Sequence, residues 1–266
     1  GKERITNAVS LFAGGMNFTR LLAPAISGFL IALIGIAGVF YSLIGLYLVS
    51  GILIAALPRT GVMTLRGRGA WREILEGLHY TRHNPTLILL LLYTLATVML
   101  SSPIHFLLPV ITEDILEVGP EGLGVLFSAS SIGAIFASLL FASLGNRKRG
   151  MMLLITSLVM GGALVGVSFS TWYPLSILFM IPTGVGQVGR MALSNALIQS
   201  NVDDEHRGRV MSIYLMEGGL GSIGTFSASV LTAFVGIQWA LGGPAAFLVL
   251  VTLYFFAFVP RMRQLE

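Results

Sequence analysis

Charged residues are scarce in this 266-residue chain, in which Asp, Glu, Lys and Arg together make up only 11%. A soluble domain carries about 25%, so the composition excludes an ordinary soluble globular protein, a disordered chain and a DNA-binding domain. Cysteine is absent, which excludes disulfides, thiolate zinc sites and a thiol nucleophile.

Five long stretches contain no charged residue at all, although hydrophobic residues make up 55% of the chain. A membrane-spanning helix needs about 20 apolar residues, and every one of these stretches is long enough for at least one span. The sequence therefore predicts an all-α polytopic membrane protein. The charge-free stretches are Leu21–Pro58, His83–Thr112, Gly122–Asn146, Gly150–Gly189 and Gly218–Pro260.

Eight membrane-spanning helices fit these stretches. Asn84 and Pro85 are typical of a helix N-cap followed by proline at the first helical position, while Pro103 and Pro109 predict a broken third helix of the kind that lines cavities. The predicted spans are Asn7–Leu33, Val39–Leu57, Pro85–Ile111, Gly122–Leu144, Met151–Phe169, Trp172–Gln199, Val210–Val235 and Trp239–Val259.

The basic residues indicate the orientation of these spans. With eight spans, loops 1–6, 58–83, 145–150, 199–209 and 261–266 fall on one side, and they hold every Lys and Arg except Arg20 and Arg190. The loop at 112–121, on the other side, carries only acidic charges. Basic loops are cytoplasmic, so we expect both termini in the cytoplasm and the chain in the plasma (inner) membrane. The net charge of +4 then reflects orientation and not a nucleic-acid surface.

The longest loop contains a short amphipathic pattern. Trp71, Ile74, Leu75 and Leu78 follow the i, i+3, i+4, i+7 spacing of one helix face. Because a Trp lies on that face, we favour a helix on the cytoplasmic membrane surface over a solvated linker helix. This loop divides the chain into residues 1–57, the inter-domain loop 58–84, and a six-helix unit at 85–266.

The two ends of the chain resemble each other weakly. Glu3–Leu11 and Glu205–Ile213 each place a charged start before a helix entry, and a pair of glycines follows both. If the similarity is a repeat, the first helix corresponds to the seventh and the repeat unit is six helices. Only two helices precede the inter-domain loop, so we expect an N-terminally truncated twelve-helix protein.

Three stretches carry a more specific pattern. Asn7–Leu30 places an Asn, an Arg and an Ala-Pro pair in one helix, Gly145–Gly150 reads GNRKRG, and Asn195–Ser212 reads NALIQSNVDDEHRGRVMS. They resemble the major facilitator superfamily and, within it, the drug/proton antiporter branch that includes macrolide and enterobactin exporters. The second stretch resembles the gating-loop motif of the superfamily, which would assign it to Gly145, Arg147, Lys148, Arg149 and Gly150, although the acidic residue usual in that motif is missing.

This resemblance implies a fold and a function. It implies the twelve-helix, alternating-access fold of the superfamily, in which the eight helices of this chain correspond to helices five to twelve. It also implies a monomeric, proton-coupled exporter of drug-like or siderophore-like small molecules. Such an exporter needs no cofactor beyond the proton gradient. An inward-directed nutrient/proton symporter shares the fold and remains the alternative. A membrane enzyme or a channel is a distant alternative, since the sequence has no HExxH, no P-loop, no paired carboxylates at catalytic spacing, no histidine cluster and no obvious filter sequence.

Ionisable residues inside spans are functional candidates, because each is costly to bury in a membrane. Arg20, near Asn17 on one helix face, would bind an anionic substrate group or a coupling carboxylate, or would be structural. Glu217 would take up the coupling proton or form a permanent ion pair. Arg190 and Glu217 should both lie ~12–14 Å deep on consecutive antiparallel helices, so we predict that they are in contact.

The remaining candidates are weaker. His105 and Gln187 would face a cavity, although a lone histidine near the membrane interface is more often structural. Small residues on the fourth and seventh helices, and the glycines around Gln187, predict close helix packing. These small residues are Ala129, Gly133, Ala137, Gly184, Gly186, Gly189, Gly224 and Ala228.

Overall fold

The computed structural model describes residues 30, 33–34, 37–56, 70–143 and 148–265, and all regular secondary structure within them is α-helical. Nearly all of the predicted first span, with Asn17 and Arg20, lies outside the described residues, as do Gly145 and Arg147 of the gating-loop motif. The described helices are α1 (Ala37–Ala55), α2 (Ala70–His83), α3 (Pro85–Ser101), α4 (Ile104–Asp114), α5 (Gly119–Ser143), α6 (Arg149–Phe169), α7 (Tyr173–Ser200), α8 (Asp204–Leu215), α9 (Glu217–Val235), α10 (Ile237–Phe258) and α11 (Pro260–Gln264).

Six described segments are long and apolar enough to cross a membrane: α1, α3 with α4, α5, α6, most of α8 with α9, and α10. They correspond to six of the eight predicted spans and agree with a polytopic membrane protein. The predicted sixth span is the 28-residue α7, which is long enough at about 42 Å but is more polar. It packs between α5 and α6, so protein and not lipid surrounds much of its surface.

Two of the spans are broken helices. Asn84 Oδ1 accepts hydrogen bonds from the amides of Thr86 and Leu87 and begins α3, which confirms the predicted cap. The helix stops at Ser101 and resumes at Ile104, because Pro103 has no amide to donate. The predicted break is therefore confirmed at Pro103, whereas Pro109 lies inside the continuous α4. A second break, which the sequence did not predict, separates α8 from α9 at Met216.

Small residues bring the central helices into close contact, as predicted. Gly133 on α5 lies directly against the carbonyl oxygen of Ile181 on α7, and Gly184 on α7 lies against that of Ser130 on α5. A Cβ atom at either glycine would overlap the neighbouring backbone. On the other side of the bundle, Gly224 of α9 meets the carbonyl of Met99 in α3 in the same way.

The buried apolar side chains form two separate clusters. The α4 cluster includes Ile104, Leu108, Ile111, Leu126, Met160, Leu164, Val167, Met180, Leu241 and Leu248. The α8 cluster includes Leu87, Leu90, Tyr93, Leu153, Leu154, Leu193, Leu197, Val210, Tyr214 and Met262. Helices α3, α6 and α7 contribute one end to each cluster, so the two clusters lie at opposite ends of the bundle.

Candidate functional site

Buried polar side chains lie between the two apolar clusters. Along α3, Thr94 and Thr97 separate the residues of one cluster from those of the other, and along α6 Thr156 and Ser157 do the same. Hydroxyl groups at this level bond to each other across helices: Thr94 Oγ1 donates to Ser194 Oγ at 3.1 Å, and Tyr93 Oη lies 3.2 Å from Thr252 Oγ1. We call this level the polar layer; it also contains Arg190 of α7.

Arg190 and Glu217 form an ion pair beside the polar layer. Arg190 Nη1 donates to Glu217 Oε2 at 3.2 Å, and the two side chains keep only 8% and 19% of their exposure. The predicted contact is thus confirmed. Arg190 is held in place because Gly186 and Gly189, on its own helix, allow α7 to lie directly against Thr156 of α6. Glu217 is the first residue of α9, immediately after the break at Met216.

His105 and Gln187 form a second polar pair. Gln187 Nε2 lies 2.9 Å from His105 Nε2. Because an amide nitrogen only donates, that ring nitrogen is the acceptor. His105 follows the break between α3 and α4, and its exposed side chain lies beside α7. The ring of Phe127 on α5 is nearly parallel to the imidazole, with the centroids 6.1 Å apart.

Three clefts meet at these four residues. A small cavity of about 30 Å³ is lined by His105, Gln187 and Arg190 together with Ser101, Ser102 and Thr183. A larger cleft of about 350 Å³ opens between α4, α5 and α7, and another of about 340 Å³ opens between α3, α4 and α9 beside Glu217. The cleft between α4, α5 and α7, which we call the α5 cleft, is lined by His105, Phe127, Ser130, Ser131, Ala134, Gln187, Val188, Arg190 and Met191.

A family model described as transmembrane secretion effector, within the major facilitator superfamily, matches residues 1–266. The chain belongs to this family. A staphyloferrin A transporter of Staphylococcus aureus (strain NCTC 8325 / PS 47) is 24% identical over 269 residues. That match covers the whole of this chain and 66% of the transporter, so the chain spans about two thirds of the length of that relative. Membership confirms the resemblance to the superfamily, and it agrees with the expectation that the chain is not an enzyme.

Two polar residues of α7 lie apart from the clefts. On α7, Gln199 Nε2 donates to Asn195 Oδ1 at 2.5 Å, one turn apart at the end of the helix beyond Arg190. Neither residue lines the three clefts. The structure therefore brings together four predicted site residues, which are Arg190, Glu217, His105 and Gln187, while Asn195 and Gln199 form a separate local contact.

The described part of the predicted gating-loop motif, Lys148 to Gly150, leads into α6. Lys148 adopts a left-handed backbone conformation with φ 56° just before the helix. Gly150 then packs against the carbonyl of Met262 in α11, and its amide donates to the carbonyl oxygen of Leu265 at 3.1 Å. In this member of the family the motif thus contacts the C-terminal segment, which the sequence did not predict.

The helix in the inter-domain loop packs against α8. Tyr80 Oη donates to Asp203 Oδ2 at 2.9 Å, and its ring stacks on His206 with the centroids 4.2 Å apart. Glu76 and Arg209 form a half-exposed ion pair at 3.1 Å. The predicted helix is present, and the second half of α2 covers α8. Sequence reasoning missed this contact because Tyr80 and Asp203 are 123 residues apart.

Proposed function

We propose that this chain forms most of a proton-coupled exporter, which moves a drug-like or siderophore-like small molecule across the plasma (inner) membrane by alternating access. The observation that carries the proposal is the Arg190–Glu217 pair, located within the helix bundle and bordering two clefts. Ionisable groups inside a membrane protein are costly and are retained for substrate or ion pathways. The description of the family as secretion effectors supports outward movement.

Glu217 is the proposed proton carrier. In the proposed cycle Glu217 is paired with Arg190 in one state and carries the coupled proton in the other, after the two groups have separated. The break at Met216 places Glu217 at the start of α9, and the proposed cycle requires α9 to change its position relative to α7.

The arrangement of domains is part of the proposal. Residues 1–57 would be the last two helices of one six-helix half, 58–84 the cytoplasmic connection, and 85–266 the second half, equivalent to helices seven to twelve. The packing of α3 to α10 around two shared clusters supports a unit that begins at residue 85. The protein would act as a monomer with both ends of this chain in the cytoplasm.

Inside-out vesicles with an acidic lumen would test direction and coupling together. Cargo added outside should enter the lumen and release protons, which a lumen pH dye reports. Erythromycin and staphyloferrin A are suitable first compounds, one from the resembling branch and one from the relative. An inward symporter would instead release protons only when the vesicles are loaded with cargo, and that result would replace the exporter proposal.

A matched pair of variants makes this assay specific for the ion pair. Glu217→Gln keeps the shape of the side chain but removes the titratable carboxylate, so it should abolish proton release while the protein remains in the membrane. Gln199→Leu changes a polar residue of α7 that does not line the clefts and should leave the signal unchanged. Full proton coupling in Glu217→Gln would exclude Glu217 as the carrier.

A further inference from the structure

Two basic segments meet at one end of the helix bundle. Gly150, at the start of α6, packs against the carbonyl oxygen of Met262 in α11, and its amide donates to the carbonyl oxygen of Leu265 at 3.1 Å. Four basic residues lie within two positions of Gly150 or Met262, and we call the surface that they form the basic patch. These residues are Lys148, Arg149, Arg261 and Arg263.

Positive charge is in excess on the basic patch. Within the described residues, Lys148, Arg261 and Arg263 form no ion pair. The first two of these side chains are exposed and the third is half-buried. Segments 148–150 and 260–265 contain no acidic residue, and Glu266, which follows them, is outnumbered by the four cations. Because like charges on neighbouring segments repel each other, a bound anion would stabilise this surface.

Arg263 is oriented by an aromatic ring. Its Cζ atom lies 5.6 Å from the centroid of the Phe256 ring, over the face of that ring. A cation is attracted to the face of an aromatic ring. The five N–H groups of a guanidinium lie in its plane, and they match the oxygens of a phosphate in pairs. Arg263 is therefore held in place while it keeps donors for a phosphate.

The basic patch adjoins the apolar surface of α10. Tyr254 and Phe258, near the end of that helix, are 58% and 73% exposed, and α10 is apolar enough to cross a membrane. The helix ends at Phe258, and α11 begins two residues later at Pro260. Aromatic rings at the end of a membrane-spanning helix lie at the level of the lipid headgroups. The anions available at that level are lipid phosphates.

We propose that the basic patch binds the phosphate of an anionic phospholipid headgroup, such as phosphatidylglycerol, while the rings of Tyr254 and Phe258 contact the upper part of its acyl chains. A zwitterionic phospholipid also carries a phosphate, but the cation of its headgroup is repelled by the patch. The bound lipid would join the start of α6 to α11. This inference depends neither on the cargo nor on the direction of transport.

Native mass spectrometry of the full-length protein tests the lipid preference. The protein in detergent is titrated with palmitoyl-oleoyl phosphatidylglycerol or with palmitoyl-oleoyl phosphatidylcholine, which have the same acyl chains. The ratio of lipid-bound to lipid-free protein gives each affinity. Phosphatidylglycerol should bind at least tenfold more tightly. Equal affinity for the two lipids overturns the proposal.

Single substitutions locate the site. Lys148→Gln and Arg261→Gln should each weaken phosphatidylglycerol binding about fivefold, the usual contribution of one basic residue near an anionic lipid surface, and should leave phosphatidylcholine binding unchanged. Arg261→Lys keeps the charge and should retain most of the affinity. The matched control is Arg82→Gln, which removes another exposed arginine, on the α2 helix that packs on α3 and α8. If this control weakens binding as much as Arg261→Gln, the basic patch is not the site.

A competition experiment separates a lipid site from a site for a soluble phosphate. Inorganic phosphate and glycerophosphoglycerol carry the chemistry of the headgroup without acyl chains. Neither should displace phosphatidylglycerol at millimolar concentration, because the proposed site includes the apolar surface of α10. Displacement by either compound would identify a soluble anion as the ligand and would contradict the lipid assignment.

Discussion

Arg190 and Glu217 are more strongly coupled than an exposed ion pair, because both side chains are largely withdrawn from solvent. Exposed pairs contribute about 0–1 kcal/mol, whereas removal of one partner of a buried pair destabilises by about 3–5 kcal/mol. The pair also joins α7 to the first residue of α9. Its loss is therefore expected to affect both folding and the position of α9.

Arg190→Ala and Glu217→Ala should each destabilise the protein by about 3–5 kcal/mol, because each leaves an unpaired buried charge. The measurement is thermal unfolding in detergent, together with the amount of protein in the membrane. The charge swap Arg190→Glu with Glu217→Arg should recover much of the stability. Recovery of proton-driven transport in the swap would contradict the proposed role of Glu217.

Arg20 lies outside the described residues, and its role stays a prediction. In the predicted first span it would lie about 13 residues from the start, or ~20 Å, where an arginine is costly without a function. Arg20→Ala should reduce transport strongly while the protein still reaches the membrane. Normal transport by this variant, at equal protein level, would make Arg20 a structural residue.

At the scale of helices, the central contact between α5 and α7 depends on glycines, which let the two backbones touch. Gly133 and Gly184 each lie against a carbonyl of the opposite helix. Gly162, on α6, faces open space with nothing within 4 Å of the position of its Cβ. The two kinds of glycine should thus respond in opposite ways to the same substitution.

Gly184→Ala should destabilise the protein by about 1–3 kcal/mol, because the new methyl group forces α5 and α7 apart. Gly162→Ala, the matched control, should be neutral or stabilise by about 0.5–1 kcal/mol, since alanine is the better helix former. Thermal unfolding in one detergent compares the two directly. Equal midpoints for the two variants would show that the α5–α7 contact is looser than described.

The contact between α2 and α8 is a second feature at this scale. Tyr80 bonds to Asp203 and stacks on His206, which fixes the inter-domain loop to the segment that leads into α9. The ion pair between Glu76 and Arg209 keeps 32% and 26% of the side-chain exposure, so most of its attraction is screened. The tyrosine is therefore expected to contribute more than the charges.

Tyr80→Phe should increase hydrogen exchange of the α2 amides several-fold, because it removes the bond to Asp203 while keeping the aromatic ring. Glu76→Gln, which removes only the half-exposed charge, should have a smaller effect. The overall unfolding midpoint should change little in either case. Unchanged exchange in Tyr80→Phe would mean that the stacking on His206 is sufficient to hold α2.

For the whole molecule, the expectation that is easiest to test is the orientation of the chain across the membrane. Asp114 ends α4 and Lys148 precedes α6, so the 25-residue α5 separates them. Because the chain contains no cysteine, introduced cysteines can be labelled without background. An impermeant thiol reagent on intact cells should label a cysteine at position 114 and not one at 148. The reverse pattern would invert the proposed topology.

Sequence reasoning succeeded where one helix, or two consecutive helices, carried the signal. The cap at Asn84 and the break at Pro103 are local effects of backbone chemistry. The pairing of Arg190 with Glu217 followed from equal depth on antiparallel neighbours. The break at Met216 was missed, although Gly218 and Gly219, which are poor helix formers, lie two and three residues after it.

The sequence by itself determined the all-helical membrane class, the expected orientation and the residues too costly to bury without a role. These properties depend on hydrophobicity, charge and depth in the membrane, all of which follow from the order of the residues along the chain. The tertiary structure decided which face each helix presents. Helices that are apolar on every side leave their rotation to packing, so only folding placed His105 beside Gln187, 82 residues away.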